Sequence, residues 1–117
     1  MQNDESAERR QREQSAQRLQ AMIPTLTSLI LEVEEYSQIA CVKYKKRFHV
    51  PSAPALFELR CNDERCEHGG YDLTHEIMRT LRGRQAHGHG DHSCGGTAGK
   101  SDCSRRIHYE LIAAYAS

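Results

Sequence analysis

A chain of 117 residues, of which 38% are hydrophobic and none is tryptophan, has room for one domain with a thin core. Sixteen basic residues balance sixteen acidic ones, so no net charge draws the protein towards nucleic acid or an anionic membrane. No apolar run reaches transmembrane length and no apolar signal core stands at the N-terminus, so we expect a cytoplasmic protein with reduced thiols and no membrane contact.

The N-terminal stretch, residues 1–22, is polar and of mixed charge. Its glutamate, glutamine, arginine and alanine residues favour a helix, but the stretch has no apolar face to bury. We therefore expect a flexible or helical tail. Residues 23–117 are expected to form a single domain.

The segment that contains Pro24 allows two interpretations. Apolar residues at heptad spacing between Leu19 and Ala40 would suit an amphipathic helix. Alternation of apolar and polar residues on both sides of Ser37–Ile39 instead indicates a hairpin, which Pro24 and the β-branched residues also favour. In the hairpin, opposite charges meet on one face and large apolar side chains meet on the other. The predicted cross-strand pairs are Glu34 with Lys43, Glu32 with Lys45, Val33 with Tyr44 and Leu29 with Phe48.

Three further elements are predicted in the second half of the chain. Alternation over residues 55–61 indicates a third strand, and alternation over residues 107–113 indicates a closing strand. Residues 72–84 have the caps and the apolar face of a helix, whereas residues 85–104, rich in glycine and histidine, are predicted to be a loop. The expected fold is α+β, with a small antiparallel sheet of about four strands and one helix.

Four cysteines in two pairs are the strongest functional signal. The pairs are Cys61-x4-Cys66 and Cys94-x8-Cys103. Two glycines, Gly69-Gly70, lie just after the first pair, and two more, Gly95-Gly96, lie inside the second pair, directly after Cys94. Thiolates held in two short loops are the ligands that a tetrahedral zinc ion needs, at about 2.3 Å from each sulfur. Glycine permits the loop conformations that wrap a metal. The pattern predicts a structural zinc site with these four cysteines as ligands.

Strands joined at one end by two metal loops resemble the layout of a zinc ribbon, although the spacings x4 and x8 depart from the usual x2. More narrowly, the runs APALFELRC, C-x-x-GG-x-D-L-T, C-G-G and C-S-R-R resemble a group of small uncharacterised bacterial zinc-binding proteins. This resemblance covers about residues 53–115. It implies a metal-binding domain and carries no activity with it.

Histidines near the cysteines offer alternative ligands. His68 lies two residues after Cys66, and His92 lies two residues before Cys94, so either could complete a site with three cysteines. His87 and His89, together with His92, could also bind a second metal weakly. A glycine-rich loop would have to be ordered for that purpose, so we favour an all-cysteine site and a solvated histidine loop.

Catalytic patterns are incomplete in this sequence. Residues 94–101 nearly match a P-loop, but Cys94 stands in the place of the first glycine, and neither the strand before the loop nor the helix after it is predicted. His75-Glu76 lacks the second histidine of a metalloprotease helix, because Arg79 occupies that position. Four thiolates leave zinc no open position for water. We therefore expect a protein that is not an enzyme.

A basic run on the second hairpin strand could contact nucleic acid or another partner. Lys43, Lys45 and Arg47 are interleaved with aromatic residues, as in single-strand binders, but Glu32 and Glu34 would partly neutralise them. The leading prediction is a zinc-binding protein-interaction or regulatory module with an unknown protein partner. The alternatives are a nucleic-acid-binding zinc ribbon and a metal-handling protein that uses the histidine-rich segment.

Overall fold

The computed structural model describes residues 18–99 and 101–117, which form an α+β fold. In chain order the elements are α1 (Leu19–Met22), β1 (Leu26–Tyr36), β2 (Cys41–Phe48), β3 (Glu58–Leu59), β4 (Cys66–Glu67), β5 (Tyr71–Asp72), α2 (Thr74–Arg82), β6 (His87–Ser93), β7 (Thr97–Ala98), β8 (Ser101–Asp102) and β9 (Arg106–Tyr115). A four-stranded antiparallel sheet, in the order β2-β1-β9-β6, is the main element, and two smaller sheets join β3 to β5 and β4 to β7 and β8.

The β1–β2 hairpin forms with the register that the sequence predicted. The Ser37 N–H donates to the Ala40 carbonyl oxygen over 2.8 Å and closes the turn. On the open face, Lys45 Nζ lies 3.3 Å from Glu32 Oε1. The hairpin interpretation is therefore confirmed over the long helix. The confirmed pairs are Leu29 with Phe48, Glu32 with Lys45, Val33 with Tyr44 and Glu34 with Lys43.

Most of the predicted N-terminal tail, residues 1–22, lies outside the described residues. Its last four residues form α1, in which Leu19 is fully buried. The Leu19 N–H donates to the Ala53 carbonyl oxygen over 2.9 Å, which ties α1 to the chain after β2. This short helix therefore belongs to the core of the domain.

The predicted third strand, residues 55–61, is wrong for most of its length. Only Glu58–Leu59 is extended in a ladder, and it pairs with Tyr71–Asp72 instead of joining the main sheet. Phe57 is buried, and its N–H donates to Thr74 Oγ1 over 2.9 Å while its carbonyl accepts from the Leu73 N–H over 2.8 Å. These bonds attach the segment to the start of α2.

Helix α2 is close to the prediction but shorter than residues 72–84. The Asp72 carboxylate accepts the Thr74 N–H over 3.0 Å at its start, and the Gly83 N–H donates to the Arg79 carbonyl over 3.1 Å at its end. Its apolar face is buried against the main sheet. The buried residues of α2 are Ile77, Met78 and Leu81.

The predicted loop over residues 85–104 is wrong in its first half, because residues 87–93 form the edge strand β6. This strand pairs with β9 along its whole length, from His87 opposite Ile112 to Ser93 opposite Arg106. Successive residues of a strand alternate between the two faces of the sheet. In the sequence HGHGDHS, this alternation places both glycines on the inner face and the first two histidines on the open face.

Glycine is required on the inner face of β6 because α2 and β9 pack closely against it. A Cβ atom at Gly88 would lie 3.1 Å from Thr80 Cγ2. A Cβ atom at Gly90 would lie 2.8 Å from Tyr109 Cε1 and 3.1 Å from Glu76 Oε1. A larger residue at either position would push the helix or the tyrosine ring away from the sheet.

The core lies between the inner face of the main sheet and α2, with contributions from the segment before β3. Neither helix within residues 18–99 and 101–117 has the length and apolar character that crossing a bilayer requires. The largest fully buried apolar side chains are Leu19, Leu26, Leu29, Leu31, Leu73, Ile77, Leu81, Ile107 and Leu111.

Replacing Gly90 by alanine is expected to destabilise the domain by about 1–3 kcal/mol, because the added methyl group overpacks the contact with Tyr109. Gly95→Ala is the matched control, since a Cβ atom there meets no heavy atom within 4 Å. The control should change the free energy of unfolding by less than about 0.5 kcal/mol. Urea denaturation of both variants measures the difference. Equal effects would contradict the close packing at Gly90.

Candidate metal centre

Four cysteine sulfurs meet at one end of the main sheet. The Sγ atoms of Cys61, Cys66, Cys94 and Cys103 all lie within 4.8 Å of one another. The sulfurs of Cys66 and Cys94 are 3.5 Å apart, and those of Cys61 and Cys103 are 3.8 Å apart. Tetrahedral ligands about 2.3 Å from a zinc ion lie about 3.8 Å from one another. The cluster therefore has the dimensions of a four-thiolate metal site.

The main sheet positions two of these cysteines. Cys94 directly follows β6, and its N–H donates to the Arg105 carbonyl over 3.0 Å, which extends the β6–β9 ladder by one bond. The chain then forms the β7–β8 hairpin, after which the Cys103 N–H donates to the Gly96 carbonyl over 2.9 Å. These bonds bring Cys94 and Cys103 together at the end of the sheet.

A turn and a short ladder position the other two cysteines. The Cys66 N–H donates to the Asp63 carbonyl over 3.0 Å, which closes a turn between Cys61 and Cys66. Cys66 then pairs with Ala98 in the β4–β7 ladder. The small sheet of β4, β7 and β8 thereby places Cys66 beside the loop that bears Cys94 and Cys103.

Glycines leave the space that the sulfurs occupy. A Cβ atom at Gly69 would lie 2.5 Å from Cys66 Sγ and closer still to Cys94 Sγ. A Cβ atom at Gly96 would lie 2.6 Å from Cys66 Sγ. Gly70 has a positive φ of 132°, which side chains rarely permit. Gly69 and Gly96 therefore leave room for the sulfurs, and Gly70 allows the backbone conformation of the loop.

The protonation of the sulfurs reflects their crowding. Partial burial raises the pKa of the Cys61 and Cys66 thiols, that of Cys66 to about 11, and hydrogen bonds with other cysteines add to the rise. Burial also acts to raise the pKa of Cys94, but the Gly96 and Gly70 N–H groups stabilise its thiolate and the net pKa is lowered. Four thiolates so close together need a bound cation to balance their charge. The cluster could thus hold a metal ion.

A buried carboxylate fastens the first cysteine loop to the main sheet. Glu35, on β1, is 1% exposed, and both of its oxygens accept the Asn62 N–H over 3.3 Å. The Tyr71 hydroxyl donates to Glu35 Oε2 over 3.1 Å. Burial raises the pKa of Tyr71 and the Glu35 charge raises it further, so the phenol stays a donor. Sequence reasoning missed this residue, although a charged residue that continues the buried face of β1 after Val33 was a visible signal.

The four histidines proposed as alternative ligands lie in three different places. His87 and His89 are exposed on the open face of β6, whereas His92 points to the opposite face, where its Nε2 lies 2.6 Å from Glu76 Oε1. His68 is exposed, with a positive φ of 59°. Within the described part of the chain, only the four sulfurs form a group close enough to share one ion. The imidazoles of His87, His89 and His92, the alternative second metal site, therefore do not converge on one point.

A cleft of about 410 Å³ opens beside the sulfur cluster. Cys61 and Cys66 line it and are half-buried, whereas Cys94 and Cys103 are 6% and 7% exposed. Glu58, Arg60 and His68 also line the cleft. Small solutes therefore reach the cluster from the side of the first cysteine pair.

Two basic residues of β2, Lys43 and Lys45, face acidic partners on the open side of the sheet. Lys45 forms the ion pair with Glu32, and Lys43 lies opposite Glu34 in the ladder. Arg47 is opposite Ile30 and has no acidic residue as its cross-strand partner. The acids of β1 therefore offset part of the positive charge that suggested a nucleic-acid contact.

Replacing Glu35 by alanine is expected to destabilise the domain by about 2–4 kcal/mol, because it leaves the Tyr71 hydroxyl and the Asn62 N–H without their acceptor. Glu35→Gln keeps one acceptor oxygen and should cost less. The conservative Tyr71→Phe variant removes only the donor and is the matched control. Thermal and urea unfolding measure the three variants. An alanine variant as stable as the glutamine variant would contradict the role of the carboxylate.

The open face also predicts a dependence of stability on pH. His108 Nδ1 lies 3.0 Å from Asp91 Oδ1, and His108 Nε2 lies 3.5 Å from Glu110 Oε1. The hydrogen bond with Asp91 raises the pKa of His108, with a further contribution from Glu110. A raised folded-state pKa stabilises the fold below the unfolded value of about 6.5, and this stabilisation is lost as the pH rises through the folded-state value.

The loss of stability in His108→Gln should therefore be larger at about pH 5 than at about pH 9, and below about 1 kcal/mol because these groups are solvated. His87→Gln, on the same face and opposite the apolar Ile112 in the ladder, is the control. Unfolding free energies at the two pH values test the difference. A deficit for His108→Gln that is independent of pH would contradict the charged pairing.

No protein-family model, no curated protein and no solved structure matches this chain. The resemblance to zinc ribbons and to small bacterial zinc-binding proteins therefore stays a prediction from the cysteine and glycine motifs. The candidate metal centre rests on the geometry of this chain.

Proposed function

We propose that the protein binds one zinc ion through Cys61, Cys66, Cys94 and Cys103, and that it acts as a non-enzymatic interaction or regulatory module in the cytoplasm. The observation that carries this proposal is the convergence of four sulfurs from two separate loops to within 4.8 Å. Free thiols gain little from such crowding, whereas a divalent cation stabilises four thiolates together.

Zinc is the metal that suits this site best. Four sulfur ligands in a tetrahedral arrangement are typical of zinc or of iron–sulfur centres. The four sulfurs are spaced to surround a single ion, because the two sulfurs are 3.5 Å apart in one hydrogen-bonded pair and 3.8 Å apart in the other. A redox-inert ion of fixed charge is also consistent with a structural role.

A structural role follows from the number of ligands and from what they connect. Four thiolates leave no coordination position for a substrate or a water molecule. The ion would join residues 61–66 to the end of the β6–β9 ladder, where the short strands β3, β4, β7 and β8 supply few hydrogen bonds of their own. Metal binding at such a site contributes directly to folding.

We propose a protein as the partner instead of a nucleic acid. The basic side chains of β2 are offset by Glu32 and Glu34 across the hairpin. The open face of the main sheet carries exposed and half-buried polar side chains of both signs, together with the exposed side chain of Ile112. A mixed surface of this kind suits recognition of a protein better than attraction to a polyanion.

The untagged protein is expected to contain about one zinc ion per chain by elemental analysis, because four thiolates close one tetrahedral site. Cys66→Ser should lose zinc and unfold, whereas Cys41→Ser should keep both the metal and the fold. Cys41 is the matched control because it is an exposed cysteine of β2 that lies outside the cluster. The double variant His87→Ser with His89→Ser should also keep its zinc.

Two outcomes would contradict the binding of zinc. The first is a metal-free preparation that unfolds cooperatively in reducing buffer with unchanged stability after zinc is added. The second is reproducible iron with visible absorbance in place of zinc. Zinc that is lost from Cys41→Ser but kept by Cys66→Ser would refute the ligand assignment.

A further inference from the structure

The sulfur cluster is organised in pairs that differ from the pairs in the sequence. Along the chain, Cys61 is near Cys66, and Cys94 is near Cys103. In the fold, the two hydrogen-bonded sulfur contacts join Cys61 to Cys103 at 3.8 Å and Cys66 to Cys94 at 3.5 Å. Each contact therefore connects the first cysteine loop to the second.

Each of these contacts also joins an accessible sulfur to a buried one. Cys61 and Cys66 line the cleft of about 410 Å³, which admits a small solute. Cys103 and Cys94 are 7% and 6% exposed. A small oxidant would reach the first member of each pair, and the buried member lies in position to react with the product.

We propose that the cluster is an oxidation site, at which hydrogen peroxide or a small organic peroxide converts the four sulfurs into two disulfides, Cys61–Cys103 and Cys66–Cys94. A disulfide requires a sulfur–sulfur bond of about 2.05 Å. Each pair must therefore close by less than about 2 Å, and none of the four cysteines lies in a helix or in a strand of the main sheet.

The chemistry balances with one peroxide for each disulfide. The thiol of the accessible cysteine releases its proton, its sulfur attacks one peroxide oxygen, the O–O bond breaks, and hydroxide (or alkoxide, from an organic peroxide) leaves, which yields a sulfenic acid. The thiolate of the buried partner then attacks this sulfur, the S–O bond breaks, and hydroxide leaves. The two sulfurs together lose two electrons to the peroxide oxygens, and the two leaving groups take up two protons to become water or alcohol.

Oxidation would replace one kind of connection between the two loops by another. The disulfides join the same two segments that a metal would join, but disulfide sulfurs no longer carry the charge that holds a divalent cation. A bound zinc ion would therefore be released. That release rests on the proposed function, whereas the disulfide pairing rests only on the positions of the sulfurs.

Tryptic peptide mapping can test the pairing directly, because trypsin places every cysteine of the cluster in a different peptide. Cleavage after Arg60, Arg65, Arg79 and Arg84, and again after Lys100 and Arg105, separates the four residues. The protein as purified is treated with a small excess of hydrogen peroxide under native conditions, and remaining thiols are alkylated. Metal content is measured before and after the treatment.

The expected result is a loss of about 4 Da, from four thiol hydrogens, with Cys61–Cys103 and Cys66–Cys94 as the major linked peptides. Disulfides mainly within the sequence pairs, or sulfinic and sulfonic acids without disulfides, would overturn the proposal. A protein that carries no zinc but forms the two cross pairs would refute the proposed function and support the oxidation site. A protein that carries zinc but forms neither cross pair would support the proposed function and refute the oxidation site.

A variant and a denatured control sharpen the test. Cys41→Ser keeps the cluster and removes the exposed fifth thiol, so its pattern should match that of the unaltered protein. Oxidation of the unaltered protein in guanidinium should abolish the preference for the cross pairs. A preference that persists there would show that the fold does not direct it.

Discussion

The arrangement of the second half of this protein depends on one constraint, which is that four cysteine sulfurs occupy a volume in which any two are at most 4.8 Å apart. The segments that bear them have little regular structure, because β3, β4, β5, β7 and β8 are each two residues long. The apolar core, by contrast, lies between the long strands and α2. What holds the cysteine loops in place must therefore act at the sulfurs themselves and at the few contacts around them.

Glu35 is the other connection between these two parts of the molecule. It lies on the inner face of β1, where Leu29, Leu31 and Val33 are apolar, and it accepts hydrogen bonds from Asn62 and Tyr71. A buried carboxylate costs free energy unless its oxygens are bonded. Because its donors come from residues directly around the first cysteine loop, the carboxylate is satisfied only when that loop is docked. The hairpin and the site are thus energetically linked.

The sequence predicted the β1–β2 hairpin to the residue, since opposite charges and large apolar side chains together left one register that satisfied both faces. It predicted the cysteine cluster because paired thiols beside glycines are typical of metal-binding loops. It failed at β6, where glycines occupy most of the inner face and leave no apolar alternation to detect. It also failed over residues 55–61, because alternation does not distinguish a sheet strand from an extended segment bonded to the start of a helix.

The two glycines on the inner face of β6 affect how precisely the sulfur of Cys94 is positioned in the cluster. A strand that slips by one residue moves by about 3.3 Å and turns its side chains to the opposite face. In β6 such a slip would force a larger side chain into the space beside Tyr109 that admits only Gly90. Cys94 follows this strand directly, and a displacement of that size would remove its sulfur from the cluster. The packing of α2 and Tyr109 against Gly90 therefore disfavours any other register of β6. Because Cys94 lies four residues after Gly90, the same packing fixes the position of the Cys94 thiol.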